Sequence, residues 1–593
     1  MEMGPKRMTP ALDRRSFMGY FAGVGLTSTL FPGVLWAKIS AGAEITVDTI
    51  ASAEEVAGLH FDPAERELML DGLKQQEQRI EALHRVALPN SVSPAIVFDP
   101  LPPGKKIQPE PRRPMVRSTV AHRAVPSDLD ALAFLPVTEL SELVRRRRVT
   151  SVQLTQMYLA RLRKYDPVLK CVISLTEDRA FKQAHAADAE IRRGHHRGPL
   201  HGIPWGAKDL LAVRGYKTTW GAGPFREQVI DTDATVVQRL DDAGAILVAK
   251  LTLGELAQGD VWFGATTKNP WKVDQGSSGS SAGPASATAA GLVGFSIGSE
   301  TLGSISSPST RCGTTGLRPT FGRVPRTGAM ALSWTMDKLG PICRSVEDCA
   351  IVLDAIYGPD GQDSSVIPAP YHWNARLSPR KLRVGYVKSA FDTPQTDAND
   401  PKRTLHATKQ FDDAALDVFK RLGINLIPVD LPDLPYDAMR IILSAEAAAS
   451  FDELTRSDRD KLLVQQGKFD WPNSFRTSRF IPAVDYVNAN RLRSLAIQKW
   501  DELMRGVDVI VTPTSVTNLS QLVATNLTGH PAVIVPNGFR EDGTPVSLTF
   551  LGGLFEEPKL LVVARAYQEA TGFHLRHPVV PLSPPSPPAP TAG

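Results

Sequence analysis

One stretch constrains this chain more than any other: residues 276–304, GSSGSSAGPASATAAGLVGFSIGSETLGS. Seven of its 29 residues are glycine, eight are serine, and Glu300 alone carries a charge. That composition suits a flexible linker, but a linker holds no apolar run, and LVGFSI interrupts this one. The run predicts a buried strand, and the alanine-rich residues ahead of it predict a closely packed helix. The glycines on either side then mark tight turns and close backbone approach. Such turns would allow a serine directly after Gly303 to sit among backbone N–H groups free to hold an oxyanion, a placement that spacing alone does not establish.

The rest of the chain frames that segment. At 593 residues it has room for more than one structural unit, and 42% apolar with 22% charged residues is ordinary globular composition. A net charge of +4 gives no argument for nucleic acid as a partner. Cys171, Cys312, Cys343 and Cys349 form no CxxC and no zinc spacing with histidine, so they read as buried thiols. Neither a metal nor a cofactor is expected.

The amino terminus reads as an address. Lys6, Arg7, Arg14 and Arg15 precede an uncharged run over residues 16–37, the order of a secretory signal. Arg14-Arg15-Ser16-Phe17-Met18 resembles the twin-arginine export motif. The run is glycine-rich, broken by Pro32 and short for a membrane span. Ala41-Gly42-Ala43 offers a cleavage site, with Ala37 the second choice. Residues 1–43 are thus expected to engage the twin-arginine machinery transiently. A periplasmic or secreted protein with no stable membrane insertion remains.

Residues 44–125 read as an accessory segment. A helical pattern runs from Pro63 to about Leu88, and residues 89–114, with eight prolines, cannot hold a helix. The main body is expected over 126–577, and a proline-rich mobile tail over 578–593. In the body, Thr150 and Gln153 form a capping box for a helix that Asp166-Pro167 is expected to end. Apolar runs such as AILVAK (245–250), LRVGYV (382–387) and VDVIVTP (507–513) alternate with helical stretches. That alternation predicts an α/β architecture with a largely buried sheet.

Lys208 lies in GIPWGAKDLLAVRG, residues 202–215, an apolar strand-like setting. It can snorkel to solvent, pair with Asp209, or serve as a neutral base with a depressed pKa. Taken in order, Lys208, SGSSAG (278–283) and GSETLGSISSPSTRCGTTGLRPTFGRVPRTG (298–328) resemble the amidase signature family. The resemblance spans roughly residues 130–577. It continues through Ala445-Glu446, VDVIVTPTS (507–515) and NLTGHPAVIVPNGF (526–539).

The resemblance implies a central mixed, twisted sheet covered on both faces by helices. It also implies a Ser–cis-Ser–Lys triad: Ser304 the nucleophile, Ser280 the relay after a cis bond from Gly279, and Lys208 the base. The N–H groups of Thr301, Leu302, Gly303 and Ser304 would hold the oxyanion. Ser278 and Ser281 take supporting hydrogen-bond roles, and Cys312 belongs to the core. The implied reaction is hydrolysis of a small-molecule amide through an acyl-enzyme, releasing a carboxylic acid and ammonia or an amine. Ester or carbamate hydrolysis uses the same chemistry. A glutaminase subunit of a tRNA-dependent amidotransferase and a non-catalytic binding module are the more distant readings.

Three positions depart from the family's Asp-Thr-Gly-Gly-Ser-Ile-Arg; the first, Glu300, keeps the charge with one extra methylene. Leu302 replaces a glycine, so it is expected either to be strained at positive φ or to crowd the pocket. Ser306 replaces an arginine, which favours a neutral substrate, with Arg311 close enough in sequence to compensate. Trp262 and Phe263 are candidates for an apolar acyl pocket.

Overall fold

The computed structural model describes residues 45–57, 59–120 and 124–583. The export signal, both cleavage sites and the last ten residues of the tail lie outside them. The chain divides into two compact units, residues 1–89 with 476–486, and residues 90–475 with 487–593. The proline-rich residues 90–114 thus fall in the same unit as the amidase-like body.

In the first unit, helix α1 (Val47–Ala57) is joined to α2 (Pro63–His84) by an ion pair between Glu54 and Arg66 at 2.9 Å. Asp62 caps α2: its carboxylate accepts from the N–H groups of Ala64 and Glu65, and Glu65 returns the bond to the Asp62 N–H. Such a cap contributes about 1 kcal/mol. The helix ends at His84, short of Leu88.

An eleven-stranded sheet organises the second unit. In chain order its strands are β1 (Val172–Leu175), β2 (Pro204–Lys208), β3 (Ile246–Leu251), β4 (Phe295–Glu300), β5 (Thr315–Arg318) and β6 (Lys338–Cys343). They continue with β7 (Val384–Val387), β8 (Leu426–Val429), β9 (Val509–Pro513), β10 (Ala532–Phe539) and β11 (Pro545–Gly552). Across the sheet the order is β1-β3-β2-β4-β6-β5-β10-β11-β9-β7-β8. The runs β3-β2-β4 and β9-β7-β8 are parallel and the other pairings antiparallel, so the sheet is mixed.

Helices cover both faces, and strand alternation shows how. Ile342 of β6 packs with Ala285 and Ala289 of α4 (Ala282–Ala289) and with Ile305 and Cys312 at α5 (Ser306–Cys312). The next residue, Cys343, joins the larger core with Val346 and Ile351 of α6 (Val346–Ile356). Leu560 and Leu561 of α8 (Glu557–Thr571) belong to that same core. All eight residues of α4 are small or compact and all are buried. Helix α7 (Gln521–Thr528) precedes β10. The four cysteines are buried and unpaired.

Helix α3 (Ser151–Leu169) opens on the expected capping box between Thr150 and Gln153, but it runs through Pro167. In the last turn a proline forfeits only one hydrogen bond, and the stop is set elsewhere. Lys170 takes the left-handed conformation (φ 52°), and the Asp166 carboxylate accepts from the N–H groups of Cys171 and Val172.

Candidate active site

Strands β2 and β4 run side by side and parallel, with Ala207 opposite Ile297, so their C-terminal ends reach the same edge. Lys208 closes β2, and Ser299 and Glu300 close β4. Loop 301–305 then leads into α5. Ligand sites in α/β sheets favour the carboxyl ends of strands.

Lys208 is wholly buried, so it does not snorkel to solvent. Nor does it pair with Asp209, whose carboxylate lies 2.7 Å from Lys250, both groups being fully buried. The Lys208 amine instead meets three hydroxyls: Ser280 Oγ and Ser299 Oγ at 2.8 Å, and Ser281 Oγ at 3.1 Å. Burial drives its pKa well below the usual lysine range, against the opposing pull of the Asp337 and Glu300 charges. Ser281 donates its own hydrogen to the Ser299 carbonyl and accepts from the Ser299 N–H, both at 3.1 Å. It therefore only accepts from the lysine. A neutral amine has two hydrogens and one lone pair, so Ser280 or Ser299 donates into that lone pair.

The backbone brings the serines together. The Gly279–Ser280 peptide bond is cis. The Ser281 N–H donates to the Ser304 carbonyl at 3.0 Å, seating the end of loop 301–305 against the start of α4. Gly298 permits that approach, because a Cβ there would stand 2.7 Å from Ser281 Oγ. Ser299 was not singled out in the sequence. Its signal was a hydroxyl at the end of a buried strand that neighbours the lysine strand. Ser278 is not among the lysine's partners; its N–H donates to the Asp260 carboxylate at 2.8 Å.

In the loop itself, Gly303 carries the positive φ (90°), in the region that favours glycine. Leu302 does not, so the substitution there brings no backbone strain. Among the described residues, the N–H groups of Leu302, Gly303 and Ser304 have no protein acceptor. Thr301 donates its hydroxyl to Asp337 at 2.6 Å.

Glu300 clamps this loop from beneath. One carboxylate oxygen accepts from the N–H groups of Ile305 and Ser306 and from the Ser306 hydroxyl, at 2.8–2.9 Å. The other accepts from Arg318 at 2.9 Å and from Asn526 of α7 at 2.8 Å. Burial alone would raise its pKa, but Arg318 and these hydrogen bonds hold it at about 2. Ser306 is thus committed to Glu300.

A cavity of about 350 Å³ opens beside Ser299 and Thr301, walled in part by Met330, Leu332, Trp334 and Leu339. Leu302, Trp262, Phe263, Ser306 and Arg311 do not line it. Trp262 and Phe263 pack on each other at a short hairpin, with the Arg226 guanidinium 4.8 Å over the Phe263 ring. Arg311 is exposed and reaches Gln275 at 3.4 Å. Among the described residues no cluster of His, Cys, Asp and Glu is arranged to hold a metal.

The family model for amidases matches residues 153–561, a span that holds Lys208, Ser280 and Ser304. The chain belongs to the amidase family. A glutamyl-tRNA(Gln) amidotransferase subunit of Methylococcus capsulatus is 33% identical to this amidase over 486 residues, 74% of this chain and 98% of the relative. The native peptide amidase from Stenotrophomonas maltophilia shares its structure with a TM-score of 0.65 and 30% identity, over 75% of this chain and 98% of that one. The glutamyl-tRNA(Gln) amidotransferase subunit from Thermotoga maritima, 24% identical with a TM-score of 0.60 over 74% and 95% of the two chains, shares the fold. The amidase is an enzyme acting on carbon–nitrogen bonds.

Proposed function

We propose that this enzyme hydrolyses a small neutral amide, with Ser304 as nucleophile, Ser280 as proton relay and Lys208 as base. The observation that carries this assignment is the Lys208 amine, buried, with no carboxylate partner and 2.8 Å from Ser280 Oγ. A serine hydroxyl attacks only when a base takes its proton. Ser280 passes its hydrogen to the lysine lone pair and receives the Ser304 hydrogen, while Ser304 Oγ bonds to the amide carbon. The free N–H groups of Leu302, Gly303 and Ser304 then meet the oxyanion, each such donor contributing about 100-fold or more in rate. As the carbon–nitrogen bond breaks, the proton returns from Lys208 through Ser280 to the leaving nitrogen. Water attacks the acyl-enzyme by the same relay, releasing the acid and restoring Ser304.

A neutral substrate is favoured by the cavity's charges. Arg326 on its wall is paired with Asp363 at 3.0 Å, which leaves an acidic substrate no ready counter-ion there. The basic and apolar order of residues 6–37 supports export of this hydrolase, followed by cleavage near Ala43. A second reading is favoured by the 33% identity to an amidotransferase subunit: release of ammonia from glutamine on behalf of a partner.

One experiment separates them. A fluorophosphonate is expected to label the wild-type enzyme and not Ser304→Ala, and a panel of neutral amides, aryl esters and glutamine is expected to show amide turnover reduced by about 10⁴-fold in that variant. Undiminished turnover in Ser304→Ala overturns the mechanism, and turnover of glutamine alone supports the second reading.

A further inference from the structure

Residues 90–98 precede the span matched by the family model, yet Asn90, Ser91 and Ser93 among them line the cavity beside Ser299 and Thr301, a cavity whose wall does not itself include Lys208, Ser280 or Ser304. Asn90 fixes one end of this strap. Its side chain donates to the Ala331 carbonyl and accepts from the Ala331 N–H, both at 2.8 Å, and it reaches the Ser450 carbonyl at 3.4 Å. Phe98 fixes the other end: its ring meets Phe321 edge-on at 5.0 Å, and the Arg493 guanidinium lies 3.4 Å over it. Between these anchors, Ser91 and Ser93 line the same cavity as Ser299, the lysine's partner. Both serines are exposed, with no hydrogen bond holding their hydroxyls among the described residues.

We propose that the strap is a specificity wall, and that Asn90, Ser91 and Ser93 select compact amides whose acyl part carries its own hydrogen-bonding groups. The proposal rests on the assignment of this cavity to the substrate of Ser304. About 350 Å³ lies toward the small end of ligand pockets, which run from about 300 to 1,000 Å³. Two free, solvated hydroxyls pair with a polar acyl chain, whereas a hydrocarbon one that covers them takes away their water and returns no bond, and that asymmetry is how polar walls discriminate. The apolar residues Met330, Leu332 and Leu339 supply contact area without choosing between the two.

N-acetylglycinamide and hexanamide test this, since both are neutral primary amides of nearly the same length and only the first carries an internal amide. Their dissociation constants are measured by NMR titration in the full chain carrying Ser304→Ala, so that no chemistry enters. The expected preference for N-acetylglycinamide is at least about fivefold, falling to within about twofold when Ser91→Ala and Ser93→Ala are added. Asn90→Ala, which releases one end of the strap, is expected to bind the bulkier N-benzyloxycarbonyl-phenylalaninamide at least about fivefold more tightly. No initial preference, or an unchanged ratio in the serine variant with no gain in Asn90→Ala, overturns the proposal. Turnover that survives in Ser304→Ala overturns the catalytic assignment instead, and leaves the binding ratios to decide the strap.

Discussion

Lys208 and Lys250 stand on adjacent parallel strands, β2 and β3, and both are wholly buried. Lys250 has a carboxylate, Asp209, at 2.7 Å, with the Lys217 carbonyl and the Thr218 hydroxyl at 2.9 Å. Lys208 has three serine hydroxyls. Burial lowers both pKa values, but at Lys250 the Asp209 charge and hydrogen bond pull the other way. At Lys208 the opposing charges of Asp337 and Glu300 act without a hydrogen bond to the amine. Two lysines, in equally dry surroundings, are separated by the placement of one carboxylate. With it a buried lysine has a counter-charge that favours keeping its proton; without it burial weighs more heavily against the charged form.

The sharpest way to break this comparison is to remove each amine. Lys208→Met is expected to lower amide kcat/KM by about 10⁴-fold while leaving the thermal melt close to wild type, because no charge is left unpaired. Lys250→Met is expected to do the reverse, destabilising the fold by about 3–5 kcal/mol as Asp209 keeps only its Thr219 hydrogen bonds and is left buried without a counter-ion, with denaturant unfolding as the measurement. Adding Asp209→Leu to Lys250→Met is expected to restore most of that loss. Equal melting of the two single variants would end the distinction.

The smallest effect per step is in pH. Protonating Lys208 removes the lone pair that receives the Ser280 proton, so amide kcat/KM is expected to rise with pH, about tenfold per unit, on the acid side of the lysine's lowered pKa. Glu300, held at about 2, stays charged across that limb and does not produce it. The sign for stability follows: an unfolded lysine binds a proton that folded Lys208 lacks, so this site favours folding more as pH rises toward the ordinary lysine range. Lys208→Met is expected to lose that slope. A pH–rate profile with no rising acid limb anywhere in the range over which the enzyme stays folded would contradict a lysine base.

Much of this was legible in the chain. LVGFSI and its glycine borders predicted a buried strand, found as Phe295–Glu300, and the alanines predicted α4. The motif order placed Lys208, Ser280 and Ser304 on elements that meet at one edge of the sheet. The clamp on Glu300 was less legible, since Arg318 and Asn526 reach it from 18 and 226 residues away and short-range patterns carry no such pairing. The effect of Leu302 stayed open between strain and crowding because the motif does not say which of two adjacent positions takes the positive φ; Gly303 takes it, which removes the strain. The strap left no signal because an extended, proline-rich segment has no periodicity to mark the face it covers. The choice of Asp209 for Lys250 over Lys208 rests on β2–β3 register, which a single lysine in an apolar run does not reveal.

Ser280 and Ser281 are chemical twins one position apart, each within 3.1 Å of the same amine. They are not spares for one another. The hydrogen of Ser281 is held by the Ser299 carbonyl, so a chain stripped of Ser280 would still present the Ser281 hydroxyl to Lys208, but with its hydrogen already given away. Repetition in the sequence is no insurance here, because orientation, not proximity, decides which of two equal neighbours can carry a proton.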